Sequence, residues 1–114
     1  MQEYKHQITK LDKPVDQGEW WMTPQTVNAV NLPLQNALNF PAAILEPPYF
    51  DPGADAAANY GAIGAIIGHE ISHSFDNTGA EFDARGQLAN WWTPADLAHF
   101  KAAGKKLIAQ YNAY

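Results

Sequence analysis

The sequence contains no cysteine. This absence excludes disulfide frameworks, thiolate zinc sites and cysteine nucleophiles. Arginine is nearly absent as well, since Arg85 is the only one, and the formal net charge is −5. A basic stripe that could bind nucleic acid or an anionic membrane surface is therefore excluded, and we expect no nucleic-acid partner.

Long apolar runs are also missing. The longest, residues 62–67, is far too short to cross a bilayer, and the first ten residues, MQEYKHQITK, lack the apolar core of a signal peptide. We therefore expect no membrane contact by this segment. Hydrophobic residues still make up 46% of the 114 residues, with four Trp, five Tyr and five Phe, which argues against disorder and suits one small globular unit.

The first half of the chain is predicted to contain little regular structure. Residues 1–25 are polar and interrupted by proline and glycine, so we expect them to be irregular. Residues 26–30 (TVNAV) and 36–40 (NALNF) favour short strands. The proline-rich stretch 46–53 (EPPYFDPG) predicts a loop, so residues 26–53 combine short strands and this loop.

The second half predicts two helices. Asp55 is a good N-cap for a helix over residues 55–76, and the glycines in that helix suggest close packing and burial. Residues 77–92 are turn-rich, with Gly79 and Gly86 expected in left-handed conformations.

The last helix is predicted over residues 93–112. Thr93 and Asp96 form a capping-box variant, and Pro94 suits the first turn. Trp91 and Trp92 are expected to be core residues that anchor this helix. Its predicted apolar stripe consists of Leu97, Phe100, Leu107, Ile108 and Tyr111.

The segment GHEISHSFD, residues 68–76, carries the candidate chemistry. His69 and His73 are four residues apart, so on a helix they lie about 40° apart around the axis and one turn apart along it. Two imidazoles in this arrangement can bind one Zn²⁺, and Glu70 can then accept a proton from water as the general base of a metallopeptidase. The alternative interpretation is a helix whose histidines are solvated, which is how we interpret His6 and His99.

A catalytic zinc site needs a third protein ligand. A third histidine at the spacing of the metzincin motif would fall at position 79, which is Gly79, so that class is excluded. Asp76 lies too far along the helix from His69, and we expect it to contact a ligand imidazole or cap the helix end. Glu81 would need a sharp chain reversal. We therefore expect the third ligand outside this chain.

Four segments resemble the neprilysin-like (M13) zinc metallopeptidases in order and spacing. TVNAV is similar to that family's Val-Asn-Ala-Tyr segment, and FPAAILEPPYFD to its Phe-Pro-Ala-Gly-Ile-Leu-Gln-Pro-Pro-Phe-Phe. NYGAIGAIIGHEISHSFD is similar to its Asn-Tyr-Gly-Gly-Ile-Gly helix and the following His-Glu-Ile-Thr-His-Gly-Phe-Asp. GAEFDARGQLANWWTPAD follows its Gly-Arg-x-Phe-Asp, Gly-x-Leu and Trp-Trp-Thr pattern. The resemblance covers roughly residues 15–112.

The resemblance implies an α+β, mainly helical fold: a gluzincin-like (thermolysin-like) catalytic core with a short β element and a long H-E-x-x-H helix. It implies zinc endopeptidase activity on oligopeptides, with His69 and His73 as ligands of one Zn²⁺ and Glu70 as the base. The family's third ligand, a glutamate, lies on a later helix. Residues 1–114 would then be a single partial domain, inactive alone, whose partners are a peptide substrate and the remainder of the parent protein.

The resemblance also implies substrate-binding residues. Asn28 and Ala29 would bind the substrate main chain from an edge strand, which is physically reasonable because a free strand edge can pair with an extended peptide. The hydrophobic specificity pocket would be lined from this chain by Ile44, Tyr49, Ala65 and Ile66. Without the family, Asn28 would merely end a strand, and Ile44 and Ile66 would be core.

The sequence departs from the family pattern at several positions, none of which is a proposed ligand or the base. These positions lie on the substrate-facing strand, beside the second histidine and elsewhere, so they affect details of substrate binding. They are Trp21, Val30, Asn31, Ala37, Ser74 and Ala80.

A second functional class stays open: a non-catalytic truncated domain that binds metal or a protein partner. Apolar surface left without cover could then promote self-association. The segment itself does not indicate a compartment, and the resemblance implies an extracytoplasmic one, either periplasmic, secreted or in the ectodomain of a membrane-anchored protein.

Overall fold

The computed structural model describes residues 2–114 and is mainly helical with one small sheet. This confirms the α+β, mainly helical fold class. The elements in chain order are α1 (Gln2–Ile8), β1 (Val30–Leu32), β2 (Ala37–Asn39), a 3₁₀ helix (Ala42–Leu45), α2 (Ala56–Gly61), α3 (Ile63–His73), a second 3₁₀ helix (Gly79–Glu81) and α4 (Pro94–Tyr111).

The N-terminal segment contains a helix that the sequence analysis missed. Residues 2–8 form α1, although residues 1–25 were expected to be irregular. The proline and glycine residues that suggested irregularity begin only at Pro14, and a side-chain hydrogen bond of 2.6 Å from Gln7 to Glu3 joins one helical turn.

Strands β1 and β2 form an antiparallel hairpin in which Val30 pairs with Asn39 and Leu32 with Ala37. The second strand agrees with prediction, but the first begins at Val30 and not at residue 26. Extending the ladder by two residues would place residue 28 opposite Pro41, which has no N–H to donate. The ladder therefore does not extend back to residue 26, where the strand was predicted to begin.

The prediction of one continuous helix over residues 55–76 is wrong, because the helix is interrupted and ends earlier. It is interrupted at Ala62 (φ −97°, ψ −94°), because the Ile63 N–H donates to the Tyr49 carbonyl at 2.9 Å instead of to the preceding helical turn. At the other end, α3 stops at His73. The Ser74 N–H donates to the Ile71 carbonyl, three residues back, which tightens the last turn.

The two glycines predicted to be left-handed differ. Gly86 has φ +73° and is left-handed, as expected. Gly79 lies in the second 3₁₀ helix instead. Glycine is required at this position because the neighbouring backbone leaves no room for a side chain. A Cβ on Gly79 would lie 2.1 Å from the carbonyl oxygen of His73.

The core is small and lies where the hairpin, the 42–50 segment and the start of α3 meet. Ala29, Ile44 and Ile63 are buried, and Phe40, Tyr49, Phe50 and Ile66 pack against them. Most of α3 lies outside this core, with Ile67 37% and Ile71 45% exposed, so the prediction of a buried helix is wrong for the described residues.

Helix α4 begins as predicted. Thr93 and Asp96 form the reciprocal capping box, and Pro94 is its first residue. The aromatic pair before it is not core, since Trp91 is 48% exposed and Trp92 is half-buried beside Phe100, with ring centroids 5.2 Å apart. The apolar stripe of α4 is exposed along its length.

Candidate metal centre

His69 and His73 converge on one side of α3. Their Nε2 atoms are 3.0 Å apart and their rings are edge-to-face, with centroids at 4.6 Å. Both residues are exposed. The helical spacing of four residues produces this convergence directly, because the two side chains leave neighbouring turns on the same face.

Asp76 orients the second histidine. Its Oδ2 lies 2.8 Å from His73 Nδ1, while its Oδ1 accepts the N–H groups of Thr78 and Gly79, each at 2.8 Å. Partial burial raises the pKa of Asp76, but the hydrogen bonds from Gly79, His73 and Thr78 together outweigh it and hold the pKa below the ordinary aspartate value. The ionised carboxylate can accept a hydrogen bond from an Nδ1–H of His73, and in that tautomer of the neutral imidazole the lone pair lies on Nε2, which faces His69 Nε2.

The histidine pair fits a zinc ion. Two nitrogen ligands at about 2.0–2.1 Å on a tetrahedral ion are about 3.3 Å apart. The observed Nε2–Nε2 distance of 3.0 Å needs only a small side-chain adjustment to reach this value. A carboxylate bonded to the remote nitrogen of a ligand histidine is also the usual arrangement around protein-bound zinc.

Glu70 lies between the two histidines in sequence but is only 8% exposed, unlike them. It occupies the part of α3 that approaches β1. There the side-chain amide of Asn31 donates to the Glu70 carbonyl at 2.8 Å and to Ser74 Oγ at 2.7 Å. Asn31 and Ser74, two of the positions that depart from the family pattern, are therefore in direct contact, which their separation in sequence did not indicate.

The described residues do not complete a metal-binding site. Among residues 2–114, no group of three or more His, Asp or Glu side chains is placed to hold a metal ion. Glu81 accepts a hydrogen bond from Asn90 at 3.0 Å, and Gly79 is buried beside the end of α3.

The predicted substrate-binding residues lie in different environments in the structure. Asn28 is exposed and Ala29 is buried, and both precede the hairpin pairing, which begins at Val30. Of the predicted pocket residues, Ala65 is exposed and lies outside the core cluster. The other three, Ile44, Tyr49 and Ile66, meet in that cluster.

The sequence is similar to proteins of a known peptidase family. The sequence profile described as "Peptidase family M13" matches residues 28–114. A protein named neutral endopeptidase from Lactobacillus helveticus is 50% identical over 96 residues, which are 84% of this chain and 15% of that protein. A protein named endothelin-converting enzyme homolog from Locusta migratoria is 43% identical over 110 residues, 96% of this chain and 15% of the relative.

A solved structure extends the similarity to three dimensions. The crystal structure of the Mycobacterium tuberculosis zinc metalloprotease ZMP1 with an inhibitor superposes with a TM-score of 0.85 at 57% identity, covering 98% of this chain and 17% of that one. The chain belongs to peptidase family M13, a family of zinc metallopeptidases. It spans about 15% of the length of the curated relatives named above.

Proposed function

We propose that this chain carries the metal-binding helix of a zinc metalloendopeptidase that hydrolyses peptide bonds in oligopeptides. One observation carries the proposal: the Nε2 atoms of His69 and His73 converge to 3.0 Å on the helix that also bears Glu70. Membership of family M13 supports zinc as the metal. The histidines would each supply Nε2 to one Zn²⁺, and Asp76 would fix the orientation of His73.

In this proposal the chain forms part of a gluzincin-like core. Bound zinc would polarise the scissile carbonyl and lower the pKa of the attacking water. Glu70 would take the proton from that water and return it to the leaving amine nitrogen. Its low exposure supports this role, because a carboxylate shielded from bulk solvent exchanges its proton with the reactants and not with water at large.

The substrate would lie beside the hairpin. Asn28 and Ala29 would bind its main chain, an assignment supported by the absence of a strand partner for either residue in the hairpin pairing. We propose a preference for cleavage before apolar residues. The pocket that accepts the side chain would be lined by Ile44, Tyr49, Ala65 and Ile66. This assignment rests on the family resemblance, since Ile44, Tyr49 and Ile66 pack in the core cluster of the described chain.

The third zinc ligand would come from outside this chain, from the remainder of the parent protein. The incomplete set of candidate ligands in residues 2–114 supports this proposal. None of the described helices has both the length and the apolar character needed to cross a membrane. An extracytoplasmic location is proposed from the family resemblance alone.

The decisive test uses the intact protein with Glu70→Gln. We expect peptide hydrolysis to fall by at least about 100-fold, since the general base is lost, while the zinc content stays the same. Glu81→Gln is the matched control: Glu81, the last residue of the second 3₁₀ helix, accepts a hydrogen bond from Asn90, so this variant should leave hydrolysis unchanged. Full activity of the Glu70→Gln variant would rule out the proposed base.

The incomplete ligand set also favours a second candidate, a non-catalytic domain that binds metal or a partner. Zinc stoichiometry and peptide hydrolysis measured for both the 114-residue chain and the intact protein distinguish the two. The peptidase proposal expects weak zinc binding and no turnover by the chain alone, with hydrolysis by the intact protein. An intact protein that binds zinc but cleaves no peptide would support the second candidate.

A further inference from the structure

The side chain of Asn31 links the hairpin to the helix that carries the candidate metal ligands. Its Nδ2 donates one hydrogen to the Glu70 carbonyl at 2.8 Å and the other to Ser74 Oγ at 2.7 Å. The atom facing Glu70 must be the nitrogen, because a backbone carbonyl can only accept a hydrogen bond. Both amide hydrogens of Asn31 are therefore used on α3 and its C-terminal cap.

The Glu70 carbonyl needs a donor of this kind. In a regular α-helix it would accept the N–H of Ser74, four residues later. Here the Ser74 N–H donates to the Ile71 carbonyl at 3.1 Å, and the Phe75 N–H to Ser72 at 2.9 Å, because the last turn tightens. The carbonyl of Glu70 is thus among those left open at the helix end, and Asn31 satisfies it from another element.

We propose that Asn31 is a positioning residue for Glu70, an inference that rests on the proposed peptidase function. Asn31 follows Asn28 and Ala29 closely along the chain, so the segment proposed to bind substrate and the backbone of the proposed base are joined by one side chain. The hydrogen bond from Asn31 to Glu70 sets the distance between the proposed substrate-binding segment and the backbone of Glu70. A shift of about 1 Å at a catalytic group can lower the rate about 100-fold.

The test is Asn31→Asp in the intact zinc-loaded protein, assayed on a peptide that this protein cleaves. Aspartate keeps the shape of asparagine but removes both donors and faces the Glu70 carbonyl with an oxygen. We expect kcat to fall about 10-fold or more, with KM within about twofold and zinc content unchanged, since neither histidine is touched. Asn31→Gln, which keeps the amide on a longer side chain, should give an intermediate kcat.

The matched control is Asn36→Asp in the same hairpin. The Asn36 amide donates to the Ala84 carbonyl at 3.1 Å, which is the same kind of bond directed away from Glu70. Its kcat should stay within about twofold of the parent. Asn31→Ala repeats the experiment without a new charge if the aspartate variant does not fold.

Three results would overturn the inference. They are an unchanged kcat in both Asn31→Asp and Asn31→Ala, an equal loss of kcat in Asn36→Asp, or a loss of zinc that accounts for the lost activity. The Glu70→Gln variant and the unmodified intact protein separate this failure from failure of the proposed function. If Glu70→Gln is inactive and the Asn31 variants are unaffected, only the positioning role is wrong. If Glu70→Gln is fully active, the assignment of Glu70 as the base is wrong, and if the unmodified intact protein cleaves no peptide, the proposed function itself is wrong.

Discussion

The backbone of Gly79 packs directly on the last turn of α3, the helix that carries the two candidate metal ligands, where a Cβ would lie 2.1 Å from the carbonyl oxygen of His73. The same residue donates its N–H to Asp76 Oδ1 at 2.8 Å, and the other oxygen of that carboxylate bonds His73 Nδ1. A residue without a side chain is therefore required for the turn that holds the proposed ligand.

Gly79→Ala should weaken zinc binding by the intact protein. The added methyl group must displace either the helix end or the 76–79 turn, and either change alters the position of Asp76 relative to His73. We expect zinc affinity to fall about 10-fold or more, measured by competition with a chelator. Gly104→Ala is the control, since a Cβ there meets no atom within 4 Å in the described chain, and it should leave zinc affinity unchanged.

Asp76→Asn tests the charge of the same contact. An asparagine can still accept the N–H groups of Thr78 and Gly79, so the turn should survive, but it carries no negative charge to support a metal-bound His73. We expect zinc affinity to fall about 10- to 100-fold. Asp83→Asn provides a comparison, because Asp83 accepts the N–H groups of Arg85 and Gln87 in a similar turn without contacting a histidine.

If both aspartate variants weaken zinc binding equally, the contact between Asp76 and His73 has no special role. If only Asp76→Asn does, the carboxylate contributes to the metal centre through the imidazole. Thermal unfolding of the two zinc-free variants should show similar midpoints, since each loses one charge from one turn.

Features set by neighbouring residues were predictable from the sequence. The capping box of Thr93 and Asp96 involves residues three apart, and the convergence of His69 and His73 follows from helical geometry alone. The position of β2 was predictable for the same reason, since Pro41 limits it locally.

Features set by distant residues were not predictable. The helix break at Ala62 depends on a hydrogen bond from Ile63 to Tyr49, which no local propensity indicates. The contact of Asn31 with Glu70 joins residues 39 apart in sequence. The exposure of Trp91 could not be predicted from its apolar character, because burial depends on which other elements lie opposite it.

The capping box of α4 should make that helix sensitive to acid. Hydrogen bonds from the Thr93 side chain and backbone N–H lower the pKa of Asp96 below its usual value. A carboxyl group whose pKa is lower in the folded state stabilises that state above its unfolded pKa and loses this contribution as the pH falls through the folded pKa. The stabilisation should therefore be lost progressively as the pH falls below the ordinary aspartate pKa of 3.8.

A peptide of residues 90–114 can check this sensitivity by circular dichroism between about pH 2 and 5. Helicity of the parent peptide should fall as the pH is lowered through this range. The Asp96→Asn peptide should show a smaller change and lower helicity at the upper end. Equal pH profiles for the two peptides would contradict the role assigned to Asp96.

Helix α4 presents an apolar stripe that the described chain does not cover, and this stripe should cause the isolated 114-residue chain to self-associate. Leu107 and Ile108, near its C-terminal end, are 56% and 61% exposed. Removing such side chains from water is favourable by about 25 cal/mol per Å², so pairing of two stripes gains free energy. Sedimentation velocity should show a concentration-dependent increase in mass.

Leu107→Lys should shift the association to higher protein concentration, because it replaces buried apolar area at the contact with a charge. Gln110→Lys is the matched control: it adds the same charge on the same helix and removes no apolar side chain. If association depends on the stripe, the first variant weakens it and the second changes it little. Equal effects of both would mean that net charge, and not apolar contact along α4, governs association, and the stripe would then have no part in it.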